Sequence, residues 1–394
     1  MFKIIGMFLL LSIPSLLHIT ALKAEEFIYI GLDADMSASA KEGGIAIKRG
    51  ALLAINEINA AGGVLNKQLK LIIKDHRGNP ARGVANIHAF AKQAGLVAVI
   101  GGVHTPVALQ ELPAIHQHQI IYLDPWAAGT PIIDNEFEPN FAFRVSVRDE
   151  QAGQVFLNYA AKLGMTKVGL LLERTGWGRS NKASMEKAAS QLMMTISDIQ
   201  WVNWGQKEMD AEVASLITSG AQAIVLVSNA PEAVVAAKAI LSNPDSKMIP
   251  IISHWGIASG AFVNRLGLEN LNKLNIVVLQ SYSFDKPNNK MLNQSVLSQY
   301  QRTFDPSVTA RSMAGAVGTA HAYDLVHLLV KAITDAQSLE RKTVRDALVA
   351  IKDHQGLVKH YKPPFTEQMH DALLADDYFL SHFNELGQMI PIKE

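Results

Sequence analysis

The stretch that decides the fold is residues 50–87, GALLAINEINAAGGVLNKQLKLIIKDHRGNPARGVANI. Ala51, Ile55 and Ile58 recur at helical spacing on one face, and Gly62 and Gly63 stop that helix. LKLIIKD, from residue 69, is a compact apolar run of the kind that forms a strand buried on both faces. Asn79-Pro80 then places a capping side chain ahead of a proline at the first helical position. Helix, turn, strand, turn and helix in succession are the grammar of a parallel sheet.

The same grammar extends in both directions. Strand-like runs are FIYIGL from 27, VAVIGG from 97, IIYLDP from 120, KVGLLLE from 167, AIVLVSN from 223, PIIS from 250 and NIVVLQSY from 275. Helical patterns separate them: Thr105-Pro106 and Asp210 read as caps, and Pro113 predicts a kink or a late start in its helix. So many strands exceed one compact sheet, so the expected fold is α/β with two doubly wound parallel-sheet lobes. The break falls in FAFRVSVRDEQAG, residues 141–153, and a second crossing near Ser281 to Pro287. The expected N-terminal lobe is 25–147 with 281–352, and the C-terminal lobe 148–280 with 353–394. Met313 to Ala336 reads as a long helix, and Thr343 with Asp346 as a capped one.

With 394 residues, 48% hydrophobic and 18% charged, the chain can bury a large core. Lys plus Arg and Asp plus Glu both count 36, so nothing points to a nucleic-acid partner. Lys3, the apolar run from Ile4 to Leu17 and the polar stretch to Ala24 have signal-peptide layout, predicting cleavage after Ala24 and export. Cysteine is absent, which excludes disulfides, thiolate metal sites and a lipid-bearing cysteine, so the mature protein is expected free in an exported compartment.

Enzyme signatures are missing: no Gly-Lys phosphate loop, no G-x-S-x-G elbow, no H-E-x-x-H pair. TGWGRS, from residue 175, lacks the third glycine of a dinucleotide fingerprint. His116 and His118, two apart on a helix, point to different faces and do not share a metal. No metal or cofactor is expected.

The 50–87 block, followed by VAVIGG, PWAAGTP and FRVSVRDEQAG, resembles the leucine/isoleucine/valine-binding type of periplasmic solute-binding protein. The resemblance runs through nearly all of the expected mature chain. It implies the type I fold, two lobes joined by three crossing strands, and a clamp that closes on a small molecule and serves a membrane ABC permease.

It also implies which turns face the cleft. Thr105 stands where the family commonly has a hydroxyl for the ligand carboxylate, beside His104; a helix starting there would reinforce anion binding. As a plain cap, Thr105 would serve the structure equally. In DPWAA, Trp126 replaces a small residue and Ala128 a threonine, with Ala127 between them. Trp177 falls where an aromatic ring often meets the ligand, and Asn229 ends another strand. Trp255 of PIISHWG takes the place of an acidic residue that pairs with the ammonium group, with His254 before it. Asp33, just after the first strand, is positioned to meet an amine or hydroxyls, or to serve ordinary turn chemistry.

These residues imply a small polar or aromatic ligand, a carboxylate or amino-acid-like compound among the candidates, rather than an aliphatic amino acid. A periplasmic receptor feeding a membrane signalling protein would use the same clamp. A hydrolase with His104 or His254 as base is the remaining class, and no nucleophile can be placed beside either.

Overall fold

The computed structural model describes residues 27–246 and 249–392. The expected signal peptide lies outside the described residues.

The first sheet contains β1 (Phe27–Ala34), β2 (Gln68–Asp75), β3 (Leu96–Ile100), β4 (Ile121–Asp124) and β5 (Ala142–Arg144), in the order β2-β1-β3-β4-β5, all parallel. Helices α1 (Lys41–Ala60), α2 (Pro80–Ala91), α3 (Thr105–Gln117) and the short α4 (Thr130–Ile133) connect them. Every residue of LVAVI in β3 is buried, as a strand covered on both faces requires.

The second sheet repeats the pattern. It contains β6 (Lys167–Glu173), β7 (Thr195–Val202), β8 (Ala223–Val227), β9 (Ile251–Ser253) and β10 (Ile276–Gln280), in the order β7-β6-β8-β9-β10. Helices α5 (Asp149–Lys162), α6 (Gly176–Leu192), α7 (Asp210–Thr218), α8 (Ala230–Ser242), α9 (Phe262–Leu266) and α10 (Leu268–Leu271) accompany it. In each sheet the strand order reverses once, between β1 and β3 and between β6 and β8, and a crevice opens there beyond the carboxyl ends of the strands.

The chain then returns to the first sheet's side through α11 (Lys290–Thr303), α12 (Ala316–Ala336) and α13 (Arg341–Ala350), with α12 packed along α1. A two-stranded ribbon follows, β11 (His354–Gln355) with β12 (His360–Tyr361). The last strands, β13 (Phe379–Phe383) and β14 (Met389–Pro391), join the second sheet antiparallel to β10 and to each other. That sheet is therefore mixed at one edge, not purely parallel.

Several local expectations change. β7 went unread because TISDIQWV is an edge strand of mixed polarity, only partly buried, without the apolar run of a central strand. The long helix begins at Ala316, since Gly315 at φ +63 breaks the helical path from Met313. α3 runs through Pro113 without a late start, and its cap residue is His104, with Thr105 already inside. Met209, not Asp210, precedes α7. Glu340 caps α13, its carboxylate accepting from the N–H groups of Lys342 and Thr343.

Residues 353–372 do not lie with the second sheet. The buried Asp324 of α12 accepts from Leu357 N, Val358 N and the Tyr361 hydroxyl. Phe365 meets Phe143 edge to face, and Asp371 pairs with the buried Arg144 of β5. These attachments draw the segment onto the first sheet, so the chain passes to the second sheet's strand β13 at residues 373–378 instead of at the expected boundary between 352 and 353.

Candidate functional site

The turns beyond β3 and β4 set one wall, with the turns beyond β1 and β2 packed behind them. Beyond β3, His104 Nε2 lies 3.2 Å from Asp35 Oδ2. Asp35 also accepts from the N–H groups of Ala38 and Ala40. Burial would raise this carboxyl, but His104 and those backbone donors hold it down at about 2. His76 packs edge-on to His104, and burial, with His104 beside it, pushes its pKa down to about 3. Thr105 Oγ1 accepts from Gly129 N at 3.1 Å, tying the start of α3 to the turn after β4.

In that turn Asp124 Oδ1 accepts from Trp126 N and Ala127 N, which bends the chain immediately after the strand. The Trp126 ring fits because α12 presents Gly318 beneath it; a Cβ there would come within 2.6 Å of the indole.

The facing wall comes from the second sheet. β6 ends in Glu173, whose Oε1 accepts from Asn229 N (2.6 Å) and Nδ2 (3.0 Å) and whose Oε2 accepts from Trp204 Nε1. Burial pushes its carboxyl up to about 8. Trp177, in the first turn of α6, donates Nε1–H to Asp149 Oδ1 at 3.2 Å. His254 Nε2 lies 3.1 Å from the same oxygen, and its Nδ1 accepts from Trp255 N. Both ring nitrogens of His254 are thus engaged, and neither is free to act as a base.

The walls meet. His104, Thr105, Trp126 and Ala128 stand opposite Glu173, Trp177, Trp204, Asn229, Trp255 and Gly256 around one cleft. Trp126 and Trp255 are 5.7 Å apart between ring centroids, and His104 and Trp204 are 5.2 Å apart. The void between the walls is about 10 Å³, room for roughly one water molecule.

Of the residues expected here from sequence, seven line the cleft: His104, Thr105, Trp126, Ala128, Trp177, Asn229 and Trp255. Three do not. Asp33 turns toward α2 and α3, accepting from Asn86 Nδ2 and facing Glu111, and is pushed up by burial and that second carboxyl. Ala127 is taken up by its own backbone bonds, its N–H donating to Asp124 Oδ1 and its carbonyl accepting from Arg144 Nη1. His254 sits behind Trp255 as a brace on Asp149. Glu173 and Trp204 were missed. An acidic residue closing KVGLLLE was a readable signal for the first; the second follows the unread strand β7.

The periplasmic binding protein family model matches residues 28–373. Leu/Ile/Val-binding protein homolog 3 of Brucella melitensis is 26% identical over 198 residues, 50% of this chain and 53% of that protein. An amino acid binding protein of Pseudomonas aeruginosa is 25% identical over 186 residues, 47% of this chain and 49% of that one. The chain spans about half the length of the curated relatives it matches.

Among solved structures, a periplasmic binding protein type 1 from Bordetella pertussis superposes with a TM-score of 0.83 at 20% identity, covering 93% of this chain and 100% of that one. The branched-chain amino acid transporter substrate-binding protein of Streptococcus pneumoniae, solved with isoleucine, gives 0.77 at 20% identity over 93% and 100%. These two likenesses speak for the fold. The family match over residues 28–373 and the paired sheets meeting at a shared cleft lead to one conclusion: the chain belongs to the periplasmic binding protein family and has its type I fold.

Proposed function

We propose that the protein is the periplasmic solute-binding component of an ABC importer, closing two lobes on a small polar or aromatic ligand. The observation that carries this reading is that residues at the carboxyl ends of strands in both sheets line one cleft. A ligand touching both walls favours the closed arrangement by its differential affinity for it, which is the physical requirement for a clamp. In the proposed division the lobes turn about the passages near residues 145–149, 281–284 and 373–378.

The Brucella relative is named for leucine, isoleucine and valine and the Pseudomonas one for amino acids, but this cleft is walled by indoles and has Trp255 and Ala128 at two of its positions. Those features favour a ligand with a flat or polar face over an aliphatic side chain.

A metabolite library screened by thermal shift, followed by X-ray scattering with any hit, tests the reading. A ligand that binds only the folded clamp raises Tm, by an amount equivalent to about 2.7 kcal/mol at a hundred times its Kd. The same ligand is expected to reduce the radius of gyration. Saturation without compaction overturns the clamp, and tight binding of leucine or valine alone overturns the ligand preference.

A further inference from the structure

Four of the chain's five tryptophans, Trp126, Trp177, Trp204 and Trp255, line the cleft together with the Glu173 carboxyl. No Lys or Arg is among the lining residues. Indole faces carry negative potential and attract a cation placed within about 6 Å of the ring centroid. A carboxyl in the same cavity, with no Lys or Arg opposite it, supplies negative charge there when it ionises.

Hydrogen bonding decides which cation fits. Glu173 Oε1 already accepts from Asn229 N and Nδ2, and Oε2 from Trp204 Nε1. Asn229 Oδ1 accepts from Ser259 Oγ, and Thr105 Oγ1 from Gly129 N. A primary ammonium would bring three N–H donors to side-chain acceptors that each already hold at least one hydrogen bond, and buried donors left unmet are costly. A fully methylated ammonium has no N–H and asks only for electron-rich surface and a counter-charge.

We infer that the cleft takes a small trimethylammonium compound, held by the indole faces with the Glu173 carboxylate as its counter-charge. The inference rests on the clamp reading above and narrows its ligand class. Entry requires the walls to part, because the void is about 10 Å³. Trp204, 40% exposed, is the most accessible of the four cleft indoles.

The carboxyl supplies a second signature. Burial raises Glu173 to about 8, and a bound cation favours its ionised form. Glu232 of α8 also raises it, while His104, paired with Asp35, faces it across the cleft. Cation affinity therefore rises as pH climbs through 8, with proton release on binding near neutrality.

The probes are choline and its uncharged carbon isostere 3,3-dimethylbutan-1-ol, with leucine and phenylalanine as controls, titrated into the full protein by calorimetry and tryptophan fluorescence. Choline is expected to bind saturably and at least about tenfold tighter than the isostere. Trp204→Leu should weaken choline by about tenfold or more while leaving the Tm of the unliganded protein within a few degrees. Glu173→Gln should remove the rise in affinity with pH.

Equal binding of choline and isostere overturns the inference. So does binding of leucine or phenylalanine without choline, an outcome that leaves the clamp standing. Absence of choline binding at millimolar concentration also overturns it, and the scattering experiment then decides the clamp separately.

Discussion

A methyl group on Gly256 would lie 2.5 Å from Trp177 Cη2 and 2.4 Å from the Ser228 carbonyl oxygen. The indole has some freedom to retreat, but the backbone carbonyl does not. Gly256→Ala is therefore expected to cost about 1–3 kcal/mol, read from denaturant unfolding, and to shift tryptophan emission as Trp177 moves. Its neighbour Trp255 is 1% exposed, so Trp255→Ala should lose about 3–5 kcal/mol of stability as well as ligand affinity. The importance of position 255 was legible, because an aromatic residue at the end of a strand and before a glycine stands at the crevice. The orientation of His254 was not: alternation along the chain does not reveal that Asp149, over a hundred positions away in sequence, takes its Nε2.

Helix caps and buried pairs act at the scale of elements. The Asn79 side chain accepts from Arg82 N at the start of α2, as the Asn-Pro pair predicts, and Asn79→Ala should cost about 1 kcal/mol in chemical denaturation. A larger effect belongs to Asp371. Its carboxylate meets Arg144 Nε and Arg148 Nη1, and Arg144 in turn donates to the carbonyls of Ala127 and Gly129. This cluster fixes β5, the turn carrying Trp126 and the 354–372 segment to one another.

Asp371→Asn leaves a buried guanidinium without its counter-charge and should cost about 3–5 kcal/mol, seen as a lowered unfolding midpoint. Nothing in the local pattern near 371 announces that role. Central strands such as β3 and β8 were legible because burial on both faces demands unbroken apolar runs. β7, at a sheet edge, has no such demand and left no comparable trace.

Charge buried throughout the whole molecule sets its response to pH. Burial raises Glu173 to about 8, Asp124 to about 7 and Asp324 to about 6, from ordinary values of 4.5, 3.8 and 3.8. Each contributes stability that is full below its unfolded pKa and lost as pH rises through its folded one. Burial lowers His321, His354 and His370 to about 4 and His76 to about 3, from 6.5, so these give stability that increases as pH rises from about 4 to 6.5. The two sets oppose each other in mild acid. Above pH 7 the histidines are neutral in both states and only the carboxyls still act, so Tm should fall from pH 7 to 9, and Glu173→Gln should make that fall shallower.

The sequence by itself determined the succession of buried strands and helices, and with it the turns beyond β3, β4, β6, β8 and β9 that meet at the cleft. Periodicity, glycine stops and proline caps are local properties and survive in one dimension. Tertiary structure alone decided which way the polar side chains at those turns face. Asp33 turns inward to Glu111, Glu173 faces the cleft, and residues 354–372 dock on the first sheet, because a buried charge goes where its partners are, and those partners are distant in the chain.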